Sequence, residues 1–173
     1  MQSNFLKSIL YSDKNTCSCY NKNGGSKVEE AGAKIAVACI VLRDDNWILL
    51  GLRKGAAVGN GTWGLPGGHQ KFGENFKDAA KRVLKEETGL TAKRLYLKSI
   101  INDYHADRGE HYLHLLFVID VFEGKPSVLE IHKCAGWKWF PIDGLPENLF
   151  YGHQSCITAY KDNEEFVDFK PAS

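Results

Sequence analysis

The amino-acid sequence predicts an α+β (α/β) domain in which a mixed β-sheet lies between helices. An apolar, β-branched run at Lys34–Leu42, KIAVACIVL, is typical of a central strand. Two further stretches with strand composition follow at Arg94–Tyr104 and Tyr112–Phe122. Helical spacing occurs between the strands at 75–88 and after them at Glu147–Tyr160. With 173 residues, 43% of them hydrophobic, the chain can bury one full core.

The first 32 residues differ in composition from the rest of the chain. They are polar and rich in Asn, Ser, Lys and Gly, which predicts a flexible extension with at most one short helix near Phe5–Tyr11. Residues 33–173 are the predicted domain.

The remaining elements are short and are marked by turn residues. Asp44–Asn46 is expected to turn the first strand into a second, Trp47–Arg53, as a hairpin. The other predicted features are a polar loop at His105–His111, a turn at Gly124–Ser127 and a short strand at Trp137–Phe140.

Composition excludes several functional classes. A net charge of +1 and the lack of a DNA-binding motif argue against a dedicated nucleic-acid binder. No run is long and apolar enough to span a membrane, and the first residues lack the apolar core of a signal peptide. The five cysteines are irregularly spaced and form no zinc pattern, so a reducing, cytoplasmic location is expected.

The most informative segment runs from Gly68 to Leu90 and reads GHQKFGENFKDAAKRVLKEETGL. On a helix over 75–88, Val83, Glu86 and Glu87 share one arc of about 100°. Carboxylate oxygens are hard ligands that suit Mg²⁺ or Mn²⁺, which also bind substrate phosphates. The segment therefore predicts a site that holds a divalent cation against a diphosphate.

This segment resembles the Nudix box, whose pattern is Gly, five residues, Glu, seven residues, then Arg-Glu-apolar-x-Glu-Glu-x-Gly-apolar. Val83 is the one departure, because it stands where the pattern has a carboxylate. The matching positions are Gly68, Glu74, Arg82, Leu84, Glu86, Glu87, Gly89 and Leu90. The resemblance extends over roughly residues 34 to 160 and implies the Nudix sandwich fold and hydrolysis of a diphosphate linkage.

The resemblance also implies roles for individual residues. Glu86, Glu87 and the carbonyl of Gly68 would bind the metal, and Glu87 could also position or deprotonate water. Glu74 would hold the loop and helix together. The two glycines Gly67 and Gly68 allow close approach of backbone to substrate.

Phosphate recognition is expected from groups just before the box. Arg53 offers a bidentate fork and is preferred to Lys54, for which plain solvation is expected. His69 could contact the α-phosphate or the sugar. In relatives, the segment before the Gly-Trp pair often supplies a distal acid, and here Glu130 is its only carboxylate.

Base recognition is less clearly marked. Six side chains could stack on a purine, with preference for the last two: Trp63, Tyr104, His114, Trp139, Phe150 and Tyr151. His111 and His114 are expected on opposite faces of a strand, which argues against a metal pair.

Three functions are consistent with the sequence. The first is Mg²⁺-dependent hydrolysis of a nucleoside triphosphate to the monophosphate and pyrophosphate, slowed by Val83. The second is a Nudix-fold module that binds a nucleotide or a partner without hydrolysis. The third is a hydrolase of another nucleoside diphosphate derivative. A homodimer is possible, since many relatives pair.

Overall fold

The structure is a computed structural model that describes residues 32–44, 46–105 and 109–168. Lys34–Ser173 form one compact unit. Its described strands are β1 (Lys34–Arg43), β2 (Trp47–Arg53), β3 (Trp63–Gly64), β4 (Gly67–His69), β5 (Thr91–His105), β6 (Glu110–Glu123), β7 (Cys134–Pro141) and β8 (Phe166–Val167). Its described helices are α1 (Phe76–Thr88) and α2 (Tyr151–Lys161). The predicted extension over 1–32, with its short helix, falls almost wholly outside the described residues and stays a prediction.

The sheet is mixed, as predicted. Its strands lie in the order β3-β2-β1-β6-β5-β8, with β4 pairing with β1 and β7 pairing with β2. β1 runs parallel to β6 and β5 runs parallel to β8, whereas the other pairs are antiparallel. The β1–β2 hairpin is confirmed by the pairing of Arg43 with Trp47.

The two helices cover opposite faces of the sheet. α1 packs Ala79, Ala80 and Leu84 against one set of alternate strand residues, which includes Cys39 of β1 and Phe117 of β6. α2 packs a second set of small and branched side chains against the intervening strand residues. Because strand side chains alternate between faces, these two clusters define a sandwich with the sheet in the middle. The predicted fold class is confirmed.

Local signals explain where α1 begins and ends. Asn75 caps its N-terminus by accepting a hydrogen bond from the amide of Asp78 at 2.9 Å. Gly89 ends it in the left-handed conformation, with φ of 75°, and its amide donates to the carbonyl of Lys85. α1 therefore starts within one residue of the prediction.

Three sequence-based boundaries were wrong. β5 continues to His105 and β6 begins at Glu110, so His105, Glu110 and His111 of the predicted 105–111 loop belong to strands, because the pairing of β5 with β6 extends to His105 and Glu110. α2 starts at Tyr151 rather than Glu147, because β3 holds the preceding residues extended: the amide of Trp63 donates to the carbonyl of Asn148 and that of Phe150 donates to the carbonyl of Trp63. The short strands β3, β4 and β8 were not predicted.

No described helix is both long enough and apolar enough to cross a membrane.

Candidate active site

Two cavities meet at the end of β4. The first, here called the acidic cavity, has a volume of about 380 Å³ and is lined by Val83, Glu86, Glu87 and Glu130 among others. The second, the aromatic cavity, has a volume of about 310 Å³ and lies on the α2 side of the sheet. Both share five residues: Arg53, Ala56, Gly67, Gly68 and His69.

Glu87 occupies the inner part of the acidic cavity. Its Oε2 accepts a hydrogen bond from the amide of Gly67 at 3.2 Å, which ties α1 to β4. Burial raises the pKa of Glu87 to about 8, and the nearby carboxylate of Glu130 adds to the rise while the Gly67 amide opposes it. A carboxylate held at this depth beside a second acid is an arrangement that a divalent cation stabilises.

Glu86 lies at the exposed rim of the same cavity. Arg82 pairs with it one helical turn away, with 2.9 Å between Nη1 and Oε2. Lys71 approaches its other oxygen at 3.5 Å. The two adjacent glutamates therefore differ, since Glu86 is neutralised by cations at the surface and Glu87 is not.

Arg82 and Glu74 join the loop after β4 to the middle of α1. Nε of Arg82 lies 2.7 Å from Oε1 of Glu74, and Nη2 lies 2.8 Å from Oε2, a bidentate pair. The same Nη2 donates to the carbonyl of His69 at 3.1 Å. Hydrogen bonds from Arg82 and then from the amide of Lys71 lower the pKa of Glu74 to about 2. These contacts are those expected of a structural acid.

Val83 forms part of the floor of the acidic cavity and is only 3% exposed. It belongs to the core cluster under α1, and a Cβ built on Gly68 would lie 3.2 Å from its Cγ2. The third position of the arc is therefore apolar. No group of three His, Cys, Asp or Glu side chains among the described residues could hold a metal ion by itself.

The remaining donor set still fits Mg²⁺ or Mn²⁺. Glu87, Glu86 and Glu130 line one cavity with carboxylate oxygens, and such ions commonly complete their shell with water and substrate phosphates. Glu130 was singled out from the sequence as the only acid of its segment, and the structure brings it to the cavity. Its Oε1 accepts from Nζ of Lys133 at 2.7 Å.

Arg53 stands between the two cavities. Its guanidinium lies over the ring of Phe150, 3.9 Å from the centroid, and Nη2 donates to the carbonyl of Val58 at 3.2 Å. Nε is buried and has no hydrogen-bonding partner among the residues that the structure describes. Lys54 is exposed and lines neither cavity.

The aromatic cavity contains only some of the side chains considered for base stacking. Phe150, Tyr151 and His114 line it. Trp63 instead packs edge-on against Phe140, and Trp139 stacks on Phe122, so both serve the core. Tyr104 lies on the other face of β5 beside His111.

His69 lines both cavities, and its ring stacks on that of Tyr112 with 5.8 Å between the centroids. The expectation that His111 and His114 point to opposite faces is consistent with the structure: His114 faces the aromatic cavity and His111 hydrogen-bonds Asn102.

Sequence reasoning missed several residues of the aromatic cavity. The missed residues are Asp103 and His105, which alternate along β5, and Glu110 and Tyr112, which alternate along β6. They lie on the same face of the sheet as His114, which was a candidate from the sequence. A period of two in these polar residues was the available signal. It was overlooked because residues 105–111 were interpreted as a loop.

Comparisons with known proteins match this architecture. The family model for the NUDIX domain matches residues 32–160. An ADP-ribose pyrophosphatase from Methanocaldococcus jannaschii is 32% identical over 120 residues, which are 69% of this chain and 69% of that protein. An oxidized purine nucleoside triphosphate hydrolase from Danio rerio is 33% identical over 100 residues, 57% of this chain and 61% of that protein.

Among solved structures, the MutT NUDIX hydrolase from Burkholderia pseudomallei is similar with a TM-score of 0.69 and 29% identity. The match covers 73% of this chain and 97% of that one. The chain belongs to the Nudix family. It is a hydrolase that acts on the pyrophosphate bonds of nucleotide derivatives.

Proposed function

We propose that the protein hydrolyses a nucleoside triphosphate to the monophosphate and pyrophosphate with Mg²⁺, which Mn²⁺ can replace. The observation that carries this is the pair of adjoining cavities with Arg53, Gly67, Gly68 and His69 as their common wall. One cavity offers carboxylates for a metal–phosphate complex and the other offers aromatic rings for a base. In this proposal the nucleotide lies across the junction with its phosphates on the acidic side.

In this proposal Glu86, Glu87 and the carbonyl of Gly68 hold the metal, and Glu130 is within reach as a further acid. A bound Mg²⁺ neutralises phosphate charge and makes a coordinated water more acidic. Glu87 would orient the attacking water and accept its proton, a role open to a carboxylate that lies at the inner end of the cavity. Because Val83 supplies no oxygen, turnover is slow or the metal requirement is shifted.

The residues of the common wall between the two cavities position the substrate. Arg53 is held by Phe150 and by the carbonyl of Val58, so it presents a preorganised cation to the phosphates. His69 lines both cavities, so it is placed to contact the α-phosphate or the sugar of a nucleotide that spans them. The backbone at Gly67 and Gly68 has no side chain to obstruct that approach.

Two alternatives have support of their own. The Methanocaldococcus jannaschii relative is named for ADP-ribose, which favours another nucleoside diphosphate derivative as the substrate. The buried, apolar Val83 favours a weakened site that binds a nucleotide more than it hydrolyses it. Both keep the nucleotide and change the chemistry at the phosphates.

The test is release of pyrophosphate and of phosphate from nucleoside triphosphates and from ADP-ribose, with Mg²⁺ and then Mn²⁺. Pyrophosphate release that is abolished by chelator and by Glu87→Gln, but not by the exposed-site control Glu123→Gln, is the expected result. Activity on ADP-ribose but on no triphosphate would show that the substrate is another nucleoside diphosphate derivative. If Val83→Glu hydrolyses a substrate that the native chain does not, the native site is a weakened one.

A further inference from the structure

The aromatic cavity has one polar wall, formed where β5 and β6 pair. In the register, Asp103 lies opposite Tyr112, and His114 lies beside Ala36 of β1, whose other neighbour is His69. Ala36 is too small to cover its neighbours, so the rings of His69 and His114 flank an open floor. The wall is built from rigid sheet backbone rather than from loops, which favours precise placement of its polar atoms.

His114 is buried without the partners that its ring requires. It is 6% exposed, and neither ring nitrogen has a hydrogen-bonding partner among the described residues. The nearest acceptor, Oδ2 of Asp103, lies 3.6 Å from Nε2, too far for a hydrogen bond. Buried polar atoms are normally satisfied, so a ligand in the cavity is the natural partner.

Asp103 supplies the complementary acceptors. Its Oδ2 accepts from the hydroxyl of Ser155 at 3.5 Å and lies 3.2 Å from Nε2 of His105. Burial acts to raise the pKa of Asp103, but the rings of His114 and His105 outweigh it and hold the pKa below the ordinary value. The group is therefore a carboxylate that can only accept. The second acid of the cavity, Glu110, already accepts from the hydroxyl of Tyr151 at 2.7 Å.

We propose that Asp103 and His114 recognise a purine base whose edge carries a carbonyl followed by two N–H donors, as in guanine. The inference rests on the proposed function, because the phosphates must lie in the acidic cavity for the base to reach this wall. A carboxylate accepts the ring N–H and the 2-amino group together, and the neighbouring imidazole N–H donates to the carbonyl.

The other bases do not match this order of donors and acceptors. Adenine presents an acceptor nitrogen beside its amino group, which would face the lone pairs of Asp103. Cytosine has the same conflict, and uracil offers one N–H between two carbonyls. The aromatic cavity also disfavours a phosphate group, because Asp103 and Glu110 are both acidic.

The experiment measures dissociation constants of GMP, IMP and AMP by calorimetry in the presence of Mg²⁺. GMP is expected to bind best, IMP about 10-fold more weakly because it lacks the 2-amino group, and AMP about 10- to 100-fold more weakly. Asp103→Asn should weaken the binding of GMP and strengthen that of AMP, because an amide can donate to the acceptor nitrogen of adenine while accepting from its amino group. Asp120→Asn makes the same chemical change at the surface partner of Arg94 and should leave all three constants unchanged.

Equal affinity for the three nucleotides, tighter binding of AMP by the native chain, or an unchanged GMP-to-AMP ratio in Asp103→Asn would each overturn the proposal. The IMP comparison uses the native chain, so it holds even if the variant folds poorly. Pyrophosphate release separates this inference from the proposed function. A chain that hydrolyses triphosphates without base preference refutes only the base site, and one that prefers GMP without hydrolysis refutes only the reaction.

Discussion

The acidic and aromatic cavities differ in how the chain assembles them. The acidic cavity takes Arg82, Val83, Glu86 and Glu87 from two adjacent turns of α1, so this part of its lining is a local property of the sequence, whereas Glu130 reaches it through the fold. The walls of the aromatic cavity come from β5, β6, β4 and α2, which only the sheet register brings together. Helical periodicity thus sets one side of the first cavity, whereas every wall of the second depends on tertiary pairing.

The difference extends to electrostatics. In the acidic cavity an acid is the buried group, and burial raises the pKa of Glu87. In the aromatic cavity His153 is buried, and burial lowers its pKa to about 3. Both groups are held in the form that carries no charge, for the same reason of desolvation. A bound cation restores the charge of the first but offers nothing to the second.

Replacing Glu87 should have the largest effect. Glu87→Gln removes the proposed metal ligand and proton acceptor, so kcat is expected to fall by about 1000-fold or more. The metal-free variant should also be more stable than the native chain, by about 1–3 kcal/mol at pH 8.5, because the ionised carboxylate is costly to bury. Steady-state kinetics and urea unfolding without metal measure the two effects, with Glu123→Gln as the control. A less stable variant would show that Glu87 is satisfied by the protein alone.

Introducing a carboxylate at Val83 should have the opposite effects: a less stable metal-free chain and tighter metal binding. Val83→Glu is expected to lower the metal-free unfolding free energy by about 2–4 kcal/mol, because it places a charge in the core beside Glu87. Mg²⁺ should recover most of this loss and bind about 10-fold more tightly than to the native chain. Val83→Gln, of similar size but uncharged, should be destabilised without recovery. Equal recovery in both variants would contradict an oxygen-ligand role at this position.

His153 should make stability fall in mild acid. Its folded pKa of about 3 lies below the ordinary 6.5, so the unfolded chain binds the additional proton between these values. The contribution is complete above pH 6.5 and is lost as the pH falls toward 3. Between pH 7 and pH 5 the unfolding free energy should fall by about 2 kcal/mol from this group. Urea titrations of native and His153→Gln chains at both values test this, and parallel losses in the two chains would exclude His153 as the source.

Arg53 should give the smallest effect, because it contributes binding at the junction of the two cavities. Arg53→Lys keeps the positive charge but loses the planar stacking on Phe150 and the bidentate hydrogen-bonding geometry of the guanidinium. KM is expected to rise about 10-fold with kcat changed little. Substitution of the neighbouring, exposed Lys54 by Ala should leave both parameters unchanged. Equal effects at the two positions would show that only general positive charge matters here.

The acidic cavity could be predicted in detail because its information is contiguous. The spacing from Gly68 to Leu90 indicated which side chains share a face, and the caps Asn75 and Gly89 bound the helix as their residue types suggest. The aromatic cavity could be predicted only in part. Phe150 and Tyr151 were the preferred candidates for base stacking and line the cavity, but Trp63 and Trp139 were candidates of the same kind and belong to the core.

The sequence by itself determined the fold class, the family resemblance and the residue types of the proposed metal–phosphate site, because helical and strand periodicities are local and repeat within a few residues. Tertiary structure decided that Glu130 lies near Glu87, that Val83 is both core and cavity floor, and that Asp103 faces His114. These contacts depend on strand register and on packing across the sheet. Neither is encoded by the spacing of neighbouring residues, so only the folded chain reveals them.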